Sequence, residues 1–563
     1  MLGQIQYYGP GVWDWLKLPP DFTHLTRFPT EMNDWDVYVQ LQWFSWYAVT
    51  HFHQFPLWNP YRCGGMSQLG NPNASILTPF FILPFLLGPA AALNADLILH
   101  LAVGFAGGYV LGRVLGLSML AAVVCAAVFP ASSWYYLRLA AGHFDFICAV
   151  YIPWIAAFLF LSVESRRILF AALAGLFLAL CVMEGDYLVL EAILLVATLS
   201  VTLSIVRRDV WPIIAGILAG VFGAAFAAPR LLAVIQLMRI YPRSGFGPDR
   251  NSVGLLLTSI FSRNQDLNRV FAVFGFQEYG SYISLAFVIL AIAAFFRPKL
   301  SDQLTLVPWL VSALVFFAVA TGGQQSFSSS PFLSNLPLSG DIRVPARFMI
   351  GFVLCAGVIF AYGADVLAGL KPWGPRVVAA MLVVGLLDSW AVGPPNLRYM
   401  YRPPQRSGEP VSREFRQVWS ESLDDMIMTT LTLANEGSVH CGGYGMFELT
   451  THVLGYNQNG YRGEYHLSGS GVAAETYWSP NRLKYRIDSP DAATLVVNQN
   501  FYPGWRVISG RGEVYSEDGQ LAVRVQPGRQ EVELRFIPTF LFRSLILSLL
   551  ASATAMSLWW KRF

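Results

Sequence analysis

The chain has 563 residues, of which 55% are hydrophobic and only 13% charged, with a mean hydropathy of +0.47. A soluble domain cannot hide that much apolar surface, so the composition reads as a polytopic membrane protein. The net charge of +3 and the lack of any basic run or RNA-binding motif argue against a nucleic-acid partner.

The first 90 residues hold no clear span and no signal peptide. Either this tail is translocated with the first hairpin, or an upstream helix precedes it. Within it lies the acidic motif Asp34-Trp35-Asp36. In an extended loop, residues i and i+2 point to one side, so both carboxylates could face one ligand. Such a pair can hold a divalent cation (Mg or Mn), or one member can act as general base; the bland alternative is two solvated acids. Pro56-Leu57-Trp58-Asn59-Pro60-Tyr61 and Gly64-Gly65 follow, and suggest a shaped loop in which Trp58 and Asn59 contact substrate. The apolar piece 74–90 is broken by Pro79, Pro84 and Pro89, and reads as a re-entrant or interfacial segment.

Eleven apolar stretches of spanning length follow, near 91–115, 117–137, 143–163, 168–183, 186–206, 210–229, 281–297, 303–321, 346–369, 375–393 and 538–560. Asp96 and His100 form an i,i+4 pair inside the first, suited either to pairing with each other or to a substrate role. His143-Phe144-Asp145 and Glu184-Gly185-Asp186 sit at the mouths of later spans. Glu191 falls about two turns beyond Glu184, on the same face if one helix carries both. Simple interfacial solvation is the alternative for each acid.

Alternation places Arg166-Arg167, Arg207-Arg208, Arg297 with Lys299, Lys371 with Arg376, and Lys561-Arg562 on one side. The positive-inside rule makes that side cytoplasmic. The three acidic motifs then share the opposite face. That face also receives Arg230, Arg239, Arg243, Arg250, Arg263 and Arg269 in the 230–280 loop, and Arg343-Val344-Pro345-Ala346-Arg347 in the next. Arginine on this side runs against the usual bias, and its planar fork suits bidentate phosphate binding. Pairing with exterior acids or lipid headgroups is the alternative.

Segment 394–537 is polar, with short strand-like pieces at 483–487, 495–497, 505–507, 521–525 and 531–536 separated by turns such as Asp518-Gly519. It reads as an exterior β-domain, sandwich-like, tethered by a last helix at 538–563. The expected domains are therefore 1–90, a helical 91–393, the β-domain 394–537 and the final helix. Of six cysteines, Cys125, Cys148, Cys181 and Cys355 lie in apolar stretches. Cys63 and Cys441 both fall outside, where a disulfide between them is open to an oxidising compartment.

Taken in order, these pieces resemble the GT-C superfamily of polytopic membrane glycosyltransferases, and within it the bacterial YfhO-like proteins. The carriers are Asp34-Trp35-Asp36, the 56–65 stretch, Arg343 to Phe348, and Asn500-Phe501-Tyr502-Pro503-Gly504-Trp505-Arg506 in the β-region. The resemblance implies an inverting transfer of sugar from a polyprenyl-phosphate donor to a glycan, lipid or protein acceptor on the exterior face of the cytoplasmic membrane. It implies Asp34 or Asp36 as base, Arg343 and Arg347 on the lipid phosphate, and His143, Asp145, Glu184 and Asp186 around the sugar or metal, with Arg243 added from the residues themselves. A transporter or flippase and a non-catalytic scaffold are the competing classes.

Overall fold

The computed structural model describes residues 34–185, 188–241, 251–266, 274–296, 304–322, 344–370, 372–399, 414–419, 428–441 and 452–560. The helical part begins with α1 (Asp34–Thr50), α2 (Leu83–Leu87), α3 (Pro89–Val114), α4 (Met119–Ala131) and α5 (Ser133–Ala141). Then come α6 (Ile152–Ser165), α7 (Ile168–Glu184), α8 (Leu188–Arg207), α9 (Trp211–Phe226) and α10 (Ala228–Ile240). After α11 (Val253–Phe261), α12 (Phe276–Tyr279) and α13 (Leu285–Ala294), apolar helices cover Val307–Ala320, Met349–Ala368, Gly374–Val392 and Leu541–Trp560.

Seven helices among the described residues are long and apolar enough to cross a membrane. The pair α9 and α10 would be an eighth; it bends by 78°, where Pro229 in the first turn of α10 removes a backbone donor. Ile168–Glu184, Leu285–Ala294 and Val307–Ala320 are apolar but shorter. The chain is a multi-pass membrane protein. Close helix approach depends on small residues. A Cβ on Gly108 of α3 would stand 2.7 Å from the Ala126 Cα of α4.

α7 separates the chain's two polar ends. Arg166 and Arg167 precede its first residue and Glu184 is its last, about 25 Å away at 1.5 Å per residue. At the arginine end, Arg166 pairs with Asp209 at 2.7 Å. The Pro-broken stretch forms a one-turn 3-10 helix (Pro79–Ile82) and the five-residue α2, joined to α3 through Gly88. Ile82, Leu86 and Leu87 point outward from it.

The C-terminal part is built of strands. Four short strands, β1 (Trp58–Asn59), β2 (Met66–Ser67), β3 (Arg416–Val418) and β4 (Glu436–Ser438), precede it; its own strands are β5 (Tyr465–Ser468), β6 (Val472–Ser479), β7 (Arg482–Ser489), β8 (Ala493–Asn500), β9 (Trp505–Ser509), β10 (Gly512–Glu517), β11 (Gln520–Val525) and β12 (Gly528–Phe536). They make two four-stranded antiparallel sheets, ordered β10-β11-β8-β5 and β6-β7-β12-β9. β7 alternates, burying Leu483, Tyr485 and Ile487. Those side chains share one apolar cluster with Leu495, Val497, Leu521 and Val523 of the other sheet. The Asp518-Gly519 turn has φ of 47° and 86°, the left-handed pair that a tight hairpin demands.

A short hairpin locks the β-sandwich to the N-terminal region. Trp58–Asn59 pairs with Met66–Ser67. The Trp58 ring is fully buried against Trp505, Tyr502 and Phe536. Its indole N–H donates to Gln499 Oε1 at 2.8 Å, and its backbone N–H to Asn481 Oδ1 at 2.9 Å. At the tip, Cys63, Gly64 and Gly65 all have positive φ. A Cβ on Gly65 would stand 2.7 Å from the Trp58 ring, so no other residue fits there. Cys63 is disulfide-bonded to Cys441, 378 positions away. Removing that bond, by Cys63→Ser or by reductant, is expected to lower stability by about 2–4 kcal/mol. Equilibrium unfolding with and without reductant tests this; identical curves for wild type and variant would refute it.

Candidate functional site

Two acidic motifs and the turn beginning the third converge where α1 meets the turn after α5. Gly142 makes the approach possible. Its φ is +86°, and a Cβ there would stand 2.4 Å from Trp35 N. Trp35 Nε1 donates to Leu139 O at 2.7 Å. A Gly142→Ala chain should fold but carry α1 displaced, cutting any activity of the site by roughly tenfold or more. Measuring turnover beside an unfolding midpoint separates this from global damage; unchanged turnover would contradict the placement.

Asp34 opens α1 as its first residue. Its Oδ2 lies 3.3 Å from His143 Nε2, with the carboxylate 28% exposed and the imidazole 6%. His143 Nδ1 lies 3.2 Å from Arg138 Nη1. A guanidinium can only donate, so Nδ1 accepts and Nε2 carries the proton toward Asp34. Four residues on, Tyr38 presents its hydroxyl to Asp145 from the same face of α1. Behind Asp145 a Cβ on Gly185 would stand 2.3 Å from the Asp145 carbonyl, so the turn after α7 closes against it.

Beneath this row lies a charged core. Arg138 and Arg347 both bind the Glu278 carboxylate. Arg347 grips it with two prongs, Nε at 2.9 Å and Nη2 at 2.6 Å, while Arg138 Nη2 also reaches the Glu278 carbonyl at 2.9 Å. The Phe146 ring lies 4.3 Å from one guanidinium and 5.0 Å from the other. Burial alone would raise the Glu278 carboxyl; the two guanidinium charges override it and hold it well below the usual carboxylate range. A continuous chain therefore runs Glu278, Arg138, His143, Asp34.

A second buried network stands beside it. His100 Nδ1 contacts Asp96 at 2.8 Å, and its Nε2 meets Glu184 at 2.6 Å and Tyr151 at 3.1 Å. The expected Asp96–His100 pairing is present and extends to Glu184, whose carboxylate thus faces His100 and Tyr151.

Several expectations change. Asp34 and Asp36 do not sit in an extended loop; both lie in the first turn of α1, where positions two apart are about 200° round the axis. The side chain of Asp36, and all of Asp186, Arg243 and Arg343, lie outside the described residues. Glu184 and Glu191 belong to different helices, α7 and α8. Glu191 is buried, with Oε2 lacking a partner among the described residues. Trp58 and Asn59 do not join the acid cluster: both are fully buried, Trp58 in the β-sandwich core and Asn59 on Gln68 at 3.1 Å. Arg263 pairs with Asp388 at 3.0 Å, and Arg230 donates to Leu69 O at 2.7 Å.

Sequence reasoning missed Arg138 and Glu278. Arg138 was legible as a charge ending an apolar stretch at the same mouth as His143. Glu278 is an acid within an arginine-rich loop, and nothing local ties it to Arg138, 140 positions away.

The class these features define is a multi-pass membrane protein with a buried ionic cluster at one end and a β-sandwich docked over its N-terminal loop. No protein-family model matches the chain, and no curated protein matches it. Among solved structures it is similar to the Archaeoglobus fulgidus oligosaccharyltransferase tethered with an acceptor peptide containing the NVT sequon. That likeness has a TM-score of 0.41 and 13% identity, over 73% of this chain and 60% of that one. The chain thus spans about 60% of the length of the structure it resembles.

Proposed function

We propose that this chain is a GT-C-type, YfhO-like glycosyltransferase that moves a sugar from a polyprenyl-phosphate donor to an acceptor on the exterior face of the cytoplasmic membrane. The observation that carries this reading is the placement of Asp34. It is a partly exposed carboxylate at the head of a helix, held by His143 above a core of two arginines. The basic loop ends at the far side of α7 favour the non-cytoplasmic side for this cluster.

In the reaction, Asp34 or Asp36 takes the proton of the acceptor hydroxyl. The acceptor oxygen attacks the anomeric carbon, the bond to the phosphate oxygen breaks, and configuration inverts. The leaving phosphate carries the electron pair. Arg347, fixed in direction by Glu278, and Arg343 would stabilise the charge that develops there. Asp145, Glu184 and Asp186 would border the sugar. A divalent cation (Mg or Mn) would be held by one of Asp34 and Asp36 rather than bridged by both, because positions two apart in a helix face away from each other, and would supply further charge neutralisation at the phosphate. Among the described residues no three His, Cys, Asp or Glu side chains gather as a metal-binding group. The β-domain would contact the acceptor.

Membrane vesicles containing the protein and radiolabelled polyprenyl-phosphate sugars test the reading. Label should pass into a product; if every donor is returned unconsumed, the transferase reading fails.

A further inference from the structure

One cleft lies beside the Asp34 cluster yet is lined by neither Arg138 nor Arg347. It is an open cleft between α1, the 73–84 segment and the start of α3. Its polar wall is formed by Ser45, Asn73, Ser75, Thr78 and Asp96, and no Lys, Arg or His lines it among the described residues. Asp96 is only 7% exposed. The His100–Glu184–Tyr151 network behind it fixes where it stands. Tyr38 and Phe144 close the inner end, their rings 5.8 Å apart, and Phe144 adjoins His143 in the chain.

The opposite wall is apolar. Phe80, Phe81 and Pro84 line it from the Pro-broken helical pieces. The same pieces turn Ile82 and Leu86 outward, 55% and 69% exposed. Apolar side chains that bare, immediately before a spanning helix, belong against lipid. The cleft therefore joins a polar interior to the bilayer across an aromatic sill.

The lining decides between the two polar parts of a lipid-linked sugar. A phosphate would meet a carboxylate and no cation, which costs binding. A neutral ring would meet hydroxyl and amide partners, a carboxylate acceptor and aromatic faces. We propose that this cleft binds the neutral sugar ring of a lipid-linked saccharide, with Asp96 accepting from its hydroxyls and the lipid chain leaving past Phe81 and Pro84. This rests on the reading of the chain as one that handles lipid-linked sugars, but binding at the cleft needs no turnover.

The test uses the full chain in lipid nanodiscs and dodecyl β-glucoside bearing a diazirine next to the glycosidic oxygen. After photolysis, labelled peptides are mapped by mass spectrometry. Label is expected on the 73–84 segment and α1. Excess dodecyl β-glucoside should compete and dodecyl phosphate should not. Asp96→Asn should reduce labelling about tenfold. Ser75→Trp, which fills the cleft from a loop, should reduce it similarly without touching the buried network. Labelling elsewhere, equal competition by dodecyl phosphate, or full labelling of both variants would each overturn the assignment. Specific labelling in a protein that transfers no sugar would uphold the cleft and defeat the transferase reading. Transfer without cleft labelling would do the reverse.

Discussion

Asp34→Asn is expected to lower sugar transfer by about two to four orders of magnitude, the usual contribution of a positioned general base. The amount of protein inserted should not change. Asparagine keeps an oxygen that can accept from His143 Nε2, 3.3 Å away in the wild type, so the head of α1 stays in place. What is lost is the ability to take a proton. Asp36→Asn is the natural comparison, because both acids open the same helix. If only Asp36→Asn abolishes transfer, the base is Asp36 and Asp34 positions it. If neither variant changes the rate, the acids are structural and no base lies in this motif.

Glu278→Gln should be the most destabilising single substitution in the membrane end of the protein, at about 3–5 kcal/mol. One buried guanidinium, Arg138, and one partly buried, Arg347, converge on this one carboxylate. Removing its charge leaves both without their shared counter-ion. Arg166→Ala offers the contrast: that ion pair is 65% exposed on the arginine side, and its loss should fall within about 0.5 kcal/mol. Chemical unfolding from nanodiscs or mixed micelles compares the two variants. Equal losses would show that the Glu278 cluster is not held by charge. Combining Glu278→Gln with Arg138→Met and Arg347→Met should restore much of the stability, since no buried charge is then orphaned.

How far the sequence carries one to this arrangement varies with the kind of signal. The apolar stretches foretold where helices run, because hydropathy over about 20 residues records burial in lipid directly. Strand β7 was visible for a similar reason: Leu483, Tyr485 and Ile487 are buried and the residues between them are not. β6 was not, since most of its residues are exposed, and an edge strand with little burial leaves no alternation to read. At the site, a grouping of Asp34, His143, Asp145 and Glu184 could be anticipated from the expected topology, though not which atoms meet. The partners of Arg347 could not. A loop arginine looks equally ready for a phosphate or a carboxylate, and only the tertiary structure brings Glu278 to it. Trp58 and Asn59 misled because aromatic and amide side chains serve a docked hairpin as well as a ligand.

The Trp58 hairpin also dictates an order of events at the ribosome. Its hydrogen-bond partner Asn481 lies 423 positions downstream, and its covalent partner Cys441 lies 378 downstream. At ~5–20 residues per second, roughly 20–85 s of synthesis separates the hairpin from the strands that will enclose it. Throughout that interval the tryptophan lacks its packing partners and the thiol its bonding partner, while ten apolar stretches are made behind them. The hairpin is thus made well before the strands that finish it, and its thiol stays unpaired until Cys441 has been synthesised.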